Sequence, residues 1–464
     1  MIMKSWKDMK VIVLGAARQG TALSRYLAGQ GARVILTDLR GPESLSADAL
    51  ALQDRGVELR LGGHPLEMLE GADMVCVSGG VPLTIPFLQE ASRRGITLSN
   101  DSQVFMEACP APIVGITGSA GKTTTTALLG LMARKYFEMK NSPRRAWVGG
   151  NIGNPLIDQV AEIHEDDLVI LELSSFQLEL MTVSPQVAVV LNITPNHLDR
   201  HGTMQAYTAA KARILHFQHQ GDVAVLNRDD FGSWDLSSQL KSDLISFGFN
   251  RPEGTQYGTY IQKDSIWLQI DRQQLKMLPL DWIQLRGQHN ISNVLAACAA
   301  AAAASLALPA IQSAVEEFTG VPHRLEFVRN VRGADWYNDS IATAPERTLA
   351  ALESFQGPLI LLLGGRDKDL PWDKLAAQVH SRVRHAVLFG EAAGLIGRAL
   401  GTVQAGETLQ SITECATLQE AVVKAAELAR EGDTVLLSPG GTSYDAFKDF
   451  EERGEYFRQW VNAL

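Results

Sequence analysis

The residue types able to do chemistry in this chain gather at glycine-rich turns. The densest is Gly115-Ile-Thr-Gly118-Ser119-Ala120-Gly121-Lys122-Thr123-Thr124, entered from the apolar run 111–117 and followed by a helical pattern over 125–132. Glycines let successive backbone N–H groups converge on phosphate oxygens, and a helix N-terminus favours negative charge. Lys122 can reach β- and γ-phosphates, and the Thr123 hydroxyl can hold Mg²⁺. Gly118 through Thr124 are therefore candidates for a nucleoside triphosphate such as ATP. A strict phosphate loop carries glycine at position 116, where this chain has Ile116. A chance glycine turn with an exposed lysine is the bland alternative.

A second turn, Gly15-Ala-Ala17-Arg18-Gln19-Gly20, follows the first apolar run, and Asp38 lies 18 residues past Gly20. That spacing matches a dinucleotide fingerprint with an acid placed for a ribose. Ala17 replaces the middle glycine, so a pyrophosphate approaches less closely. Three readings stay open: a nicotinamide site, another nucleotide or sugar-nucleotide in the same crevice, and a structural turn.

Three further side chains extend the phosphate chemistry. Glu172 lies near the end of the apolar run 167–173, expected as a strand beside the phosphate-turn strand. His197 follows the next apolar run, 186–192, and Lys211 lies in the helical stretch YTAAKARIL. A neutral imidazole is a metal ligand, and Mg²⁺ takes chiefly oxygen. Taken singly, a loop histidine and a helix lysine read as surface residues; the phosphate turn gives them weight. The last third adds Pro322-His323-Arg324, Asn338-Asp339-Ser340, Gly364-Gly365-Arg366-Asp367-Lys368 and the run 438–443, all at expected strand ends. Ligands of open α/β sheets gather there. Arg324 and Lys368 are anion candidates.

The elements that position these groups alternate strand and helix, which implies α/β domains with parallel sheets. At roughly 150 residues per domain, 464 residues suggest about three. We expect a Rossmann-like domain over 1–101, a P-loop-type ATPase domain with a parallel sheet over 102–320, and a Rossmann-like domain over 321–464. Hydrophobic residues at 45% and charged residues at 20% exclude a disordered chain. With 42 basic and 52 acidic residues the net charge is −10, which argues against a general nucleic-acid binder. The four cysteines are scattered and read as reduced thiols. No signal peptide is expected at the N-terminus. The uncharged stretch 290–315 is alanine-rich and interrupted by Pro309, so a packed helix is expected rather than a membrane span.

Taken in order, the segments GAARQG, GITGSAGKTT, GGNIGNP, LELSSFQLE, NITPNHLDRHG, AAKARI, GQHNISN, PHRLEFV, NDSIAT, LLLGGRDKDL and LLSPGGTSYDAFKDFEERG span the whole chain. Together they resemble the Mur ligase family, and within it the glutamate-adding type. The resemblance implies an N-terminal domain that binds a UDP-sugar, with Arg18, Gln19, Asp38, Leu39, Arg40 and Gly80 at its uridine and phosphate contacts. Asn151 and His197 would touch the sugar-peptide end. Lys122, Glu172, His197 and Lys211 would be catalytic. Asn290, Asn293, Arg324 and Asp339 would join the phosphate turn in binding ATP. Thr343, Lys368, Ser443 and Phe450 would hold the incoming glutamate. Thr123, Glu172, His197 and Lys211, the last carbamylated by CO₂, would hold two Mg²⁺ ions.

The activity implied is an ATP-dependent amide ligase in cytoplasmic peptidoglycan precursor synthesis, joining glutamate to UDP-N-acetylmuramoyl-L-alanine through an acyl phosphate. The resemblance further implies small-molecule partners only, no nucleic acid, no membrane insertion and a monomer. Closure of the last domain is expected, because water would destroy an acyl phosphate. Three departures stand out: GSAGKT in the phosphate turn where the family more often has TNGK, Ile341 where it commonly has lysine, and Ala344 where it has asparagine. D-glutamate is the expected substrate and L-glutamate the alternative. A folylpolyglutamate-type synthase would lack the GAARQG domain. A nicotinamide-dependent dehydrogenase would leave Lys122, Glu172 and Lys211 without a role.

Overall fold

The computed structural model describes residues 5–151, 153, 155–254, 256–285, 287–404 and 406–464. Ile152 and Asn154 of the GGNIGNP segment lie outside the described residues. The chain divides into two compact units, Met1–Phe318 and Thr319–Leu464. The first unit contains two sheets and the second contains one.

The first sheet comprises β1 (Lys10–Leu14), β2 (Arg33–Asp38), β3 (Glu58–Leu61), β4 (Met74–Val77) and β5 (Thr97–Ser99), in the order β3-β2-β1-β4-β5. All its pairings are parallel. Residues alternate between two cores: Val11 and Val13 bury on one face, Ile12 and Leu14 on the other. This is why the strand reads as one unbroken apolar run. The order reverses between β1 and β4, which opens a crevice at their carboxyl ends. The glycine turn lies there and leads into the helix Arg18–Gly29. Gly20 is required, because a Cβ at that position would lie 1.9 Å from the Gly15 carbonyl oxygen.

The second sheet contains β6 (Ile113–Thr117), β7 (Ala146–Gly150), β8 (Leu168–Glu172), β9 (Val187–Val190), β10 (Val223–Asn227), β11 (Asp243–Phe247), β12 (Tyr257–Gln262), β13 (Ser265–Ile270) and β14 (Gln273–Pro279). Its order is β14-β13-β12-β11-β10-β9-β6-β8-β7. β6 therefore lies between β8 and β9, with Ile116 opposite Glu172 and Thr117 opposite Val190. The helix after the phosphate turn runs Lys122–Met139, one turn earlier than its apolar pattern suggests. The early start follows from the polar first turn, Lys122 to Thr125, which carries no apolar signal. The fully parallel sheet expected here is extended by an antiparallel meander, β12 to β14. The alanine-rich helix Gln288–Ala303 buries Val294 to Ala301, and Pro309 opens the next helix, Leu308–Glu317. No helix among the described residues is long and apolar enough to cross a membrane.

The second unit carries β15 (Glu326–Val331), β16 (Ala334–Asn338), β17 (Leu359–Gly364), β18 (Val383–Phe389), β19 (Ser411–Cys415) and β20 (Thr434–Gly440). The order is β15-β16-β20-β17-β18-β19, with only β15 antiparallel. Each sheet face has its own apolar core, Leu361 and Leu363 in one and Ile360 and Leu362 in the other. All four cysteines are free thiols.

Candidate active site

The phosphate turn is fixed by the loop after β9. Ser119 N donates to Asn192 O at 2.9 Å, and its hydroxyl donates to Thr194 O at 2.9 Å. Asn192 holds Ala120 from both sides: Ala120 N donates to Oδ1 at 2.8 Å, and Nδ2 donates to Ala120 O at 3.1 Å. Gly121 has φ +84°, and a Cβ there would meet Asn293 Oδ1 at 2.2 Å. Asn293 Nδ2 donates in turn to Asn290 Oδ1 at 3.1 Å. The alanine-rich helix thus brings both predicted asparagines to the turn.

Two lysine amines converge on one carbonyl. Lys122 Nζ and Lys211 Nζ each donate to Gly118 O at 2.9 Å. Lys211 is buried, with its amine 4.7 Å from the centre of the Tyr207 ring. Burial, with the Lys122 charge, pushes its amine down to about 7 against the pull of Glu172. Glu172 ends β8 and is also buried. Its Oε1 accepts from Asn151 Nδ2 at 3.2 Å, while Oε2 has no hydrogen-bond partner among the described residues. A buried carboxylate oxygen left so is costly, and a divalent cation relieves that cost. With Thr123 in the first turn of the following helix, the donors present fit Mg²⁺. Among the described residues, no three His, Cys, Asp or Glu side chains form a ready cluster. A Mg²⁺ held by one carboxylate plus substrate phosphates needs none.

His197 lies exposed beyond β9 at φ +53°, its ring edge-on to Phe176 at 5.2 Å. Phe176 also stacks with His201 and lies under the Arg200 guanidinium. Arg200 reaches the first sheet, donating to the carbonyls of Gly80 and Val81.

In the first sheet, Asp38 is saturated. Its Oδ1 accepts from Arg40 N and Nε at 2.9 Å, and its Oδ2 accepts from Ala16 N and Arg40 Nη2 at 2.8 Å. Arg40 holds this carboxyl far below the usual carboxylate range. Such an acid shapes the loop that carries Leu39 and Arg40. Leu39 is 72% exposed beside it, an apolar side chain open to a base. Arg18 is exposed at the helix start, and Gln19 Nε2 donates to Gly150 O at 2.9 Å, beside Asn151.

The remaining predicted residues belong to the second unit. Asp339, just after β16, accepts from Ser438 Oγ at 2.8 Å and Leu325 N at 3.2 Å. Burial pushes its carboxyl up to about 7. Arg324 and Lys368 are exposed, Ser443 is buried, and Thr343 N donates to Ile341 O at 2.9 Å. Phe450 opens the last helix, Phe450–Asn462, and its carbonyl accepts from Ser340 Oγ at 2.8 Å. Arg453 on that helix is fully buried and donates to Ser340 Oγ (2.9 Å), Ser340 O (2.8 Å) and Gly441 O (3.1 Å). One side chain thereby ties the 340 loop to the 441 turn.

Comparison with known proteins matches three family models along the chain. The Mur ligase MurD-like N-terminal domain matches residues 9–100, the Mur ligase middle domain 116–301, and the Mur ligase glutamate ligase domain 323–441. The UDP-N-acetylmuramoylalanine–D-glutamate ligase of Symbiobacterium thermophilum is 41% identical over 455 residues, 98% of each chain. That of Pelotomaculum thermopropionicum is 40% identical over 464 residues, covering 100% of this chain and 99% of the relative. The chain belongs to the Mur ligase family.

Solved structures agree on the fold of this Mur ligase. The UDP-N-acetylmuramate-alanine ligase of Thermotoga maritima aligns with TM-score 0.55 at 17% identity, covering 98% of this chain and 99% of that one. A pseudomurein peptide ligase of Methanothermus fervidus aligns with TM-score 0.53 at 19% identity, covering 98% and 100%. Sequence reasoning missed Asn192 and Tyr207 beside the phosphate turn and, in the second unit, Arg453 and Arg347, whose Nη1 donates to Ile341 O at 3.2 Å. Asn192 had a signal, since it ends an apolar strand run. The two arginines had none, because a charged residue in a helical pattern reads as a solvated face.

Proposed function

We propose that this Mur ligase joins D-glutamate to UDP-N-acetylmuramoyl-L-alanine at the expense of ATP, in the cytoplasmic synthesis of peptidoglycan precursors. The observation that carries this reading is the meeting of Lys122, Lys211 and the orphaned Glu172 oxygen around the carboxyl end of β6. The names of the full-length relatives support the substrates, including the D isomer.

In this reading the alanyl carboxylate attacks the γ-phosphorus. A carboxyl oxygen–phosphorus bond forms, the bond to the β,γ-bridging oxygen breaks, and ADP leaves. The glutamate amine then attacks the acyl carbon, phosphate departs, and the amine loses a proton. Every reactant is anionic, so the site must supply positive charge. Lys122 supplies it at the phosphates, anchored on Gly118 O, and Gly118 to Thr124 cradle them. Asn290, Asn293, Arg324 and Asp339 complete the nucleotide contacts. Thr123, Glu172 and His197, with a carbamylated Lys211, would hold Mg²⁺, which neutralises charge developing on the transferred phosphoryl oxygens. A lysine amine whose proton affinity is lowered to about 7 is readily neutral, the form that adds CO₂ to give a carbamate and a proton.

Arg18, Gln19, Asp38, Leu39, Arg40 and Gly80 would seat the UDP, and Asn151 and His197 the sugar-peptide end. Thr343, Lys368, Ser443 and Phe450 would seat glutamate. The enzyme is expected to work as a monomer, with domains 1–101, 102–320 and 321–464.

The test is phosphate release from ATP with UDP-N-acetylmuramoyl-L-alanine, run separately with D- and L-glutamate. Release with the D isomer alone is the expected result. Release with the L isomer alone moves the chain to the other stereochemistry, and release with neither overturns the reading. Carbamylation is checked in the same assay: depleting bicarbonate should lower the rate and restoring it should recover it, while a Lys211→Arg protein should respond to neither.

A further inference from the structure

Arg347 is a cation with an unexplained position. It lies in the first turn of the helix Pro345–Glu353. A positive side chain there opposes the helix dipole. It is exposed, and its guanidinium Nη1 donates to the Ile341 carbonyl at 3.2 Å. The carboxyl whose field reaches it is Asp339.

Its surroundings are built rather than incidental. The next residue, Thr348, donates to Ser438 O at 3.1 Å, and Ser438 Oγ donates to Asp339 Oδ2 at 2.8 Å. The helix start is thereby bound to the carboxyl ends of β16 and β20. The turn that carries Lys368 is laced to the same face: Arg366 N donates to Thr442 O at 2.9 Å, and Thr442 N donates to Arg366 O at 2.8 Å. Arg453 ties the remaining edges together through Ser340 O and Gly441 O.

The charges within this face do not balance. Partial desolvation of its exposed side chain and the fields of Arg347 and Arg453 push the Lys368 amine down. Partial desolvation and the field of Arg324 likewise push Arg347 down. Two carboxyls act on these four cations: Asp445, whose field reaches Arg453, and Asp339, whose proton affinity burial raises to about 7. Ile341 contributes a carbonyl to the cluster and no charge of its own. Among these interacting groups cations therefore outnumber carboxyls.

We propose that Arg347 contacts a carboxylate of the incoming amino acid and sets, together with Lys368, the preference of the site for an acidic substrate. The proposal rests on the glutamate-ligase reading above. A planar guanidinium matches a carboxylate through two parallel hydrogen bonds, which a lysine cannot reproduce.

The experiment is steady-state kinetics on the full chain, varying glutamate, ATP and UDP-N-acetylmuramoyl-L-alanine in turn, for wild type, Arg347→Gln and Arg347→Lys. We expect Arg347→Gln to raise KM for glutamate by about tenfold to a hundredfold, the scale of a lost charge-assisted hydrogen bond. KM for ATP and for the UDP-sugar should stay within about twofold, and Arg347→Lys should recover part of the loss. A rise confined to KM for ATP would assign Arg347 to a phosphate and overturn the proposal, as would unchanged constants throughout. Thermal unfolding of each variant separates these results from misfolding, and Arg347→Lys keeps the test open should the glutamine variant not fold. A wild type silent with glutamate would sink the ligase reading itself; an active wild type with normal variants would sink only the role of Arg347.

Discussion

Asp339 is a carboxyl group that the fold keeps from ionising. Its oxygens accept from Ser438 Oγ and Leu325 N, yet burial outweighs these bonds and raises its proton affinity to about 7. In an unfolded chain the same group ionises near pH 4. Between those limits the folded state holds a proton that the unfolded state has lost, so stability falls as pH rises from about 4 to about 7. Above about 7 both states are ionised and the slope vanishes. Asparagine keeps the shape without the titration. The thermal midpoint of Asp339→Asn minus that of wild type should therefore grow from pH 4 to pH 7 and stay level above it. A difference that is flat across the whole range would mean that Asp339 is ionised throughout. Lys211 illustrates the opposite sign, a cation pushed toward neutrality by burial, and the proposed carbamylation would start from that neutral form. Neither property is visible in the sequence, because an Asp or a Lys carries no mark of its own burial. What the sequence did reveal was their company: Asp339 in NDSIAT and Lys211 in AAKARI recur with the other segments in order.

At the scale of elements, the site exists because β6 has β8 on one side and β9 on the other. A parallel sheet puts the residues after all three strands at one edge, so Gly118, Glu172 and the loop carrying Asn192 meet there. That much was legible, because strands buried on both faces read as unbroken apolar runs. The meander β12 to β14 was not legible, since its outer strand reads QQLKMLP and exposes most of its residues. Close backbone approach was also hidden. Gly150 ends β7 at φ +96°, and a Cβ there would lie 2.3 Å from the Glu172 carbonyl oxygen. The same carbonyl accepts from Asn151 N at 2.8 Å. Gly150→Ala must strain its own backbone and push β7 away from the end of β8. We expect a loss of roughly 1–3 kcal/mol or more in stability. Activity should fall further than stability accounts for, because Asn151 Nδ2 is the donor on Glu172 Oε1. Denaturant unfolding and the ligase assay on the same protein check both parts; a variant with wild-type midpoint and rate would show that the edge of the sheet yields freely.

On the scale of the whole molecule, the chain distributes its chemistry over two units, each with its own buried cores. The second unit, Thr319–Leu464, is of ordinary domain size and buries Trp336 and Trp372 within its own sheet and helices. Its sheet is closed by pairings that begin and end inside the unit, β15 at one edge and β19 at the other. Long-range ties also stay inside: Arg453 reaches back to Ser340 across 113 residues of sequence. Such a tie explains why Arg453 escaped sequence reasoning, since its partner Ser340 is remote in the chain. Internal ties also make the unit an independent folding candidate. Produced alone, residues 319–464 should unfold cooperatively in urea, with a change in tryptophan fluorescence. The full chain should then show more than one transition, because units with separate cores need not unfold together. Asp339→Asn gives the internal control: it should shift the transition that the fragment reproduces and leave the other in place. A fragment without cooperative unfolding, beside a single transition in the full chain, would mean that the second unit depends on the first for its stability.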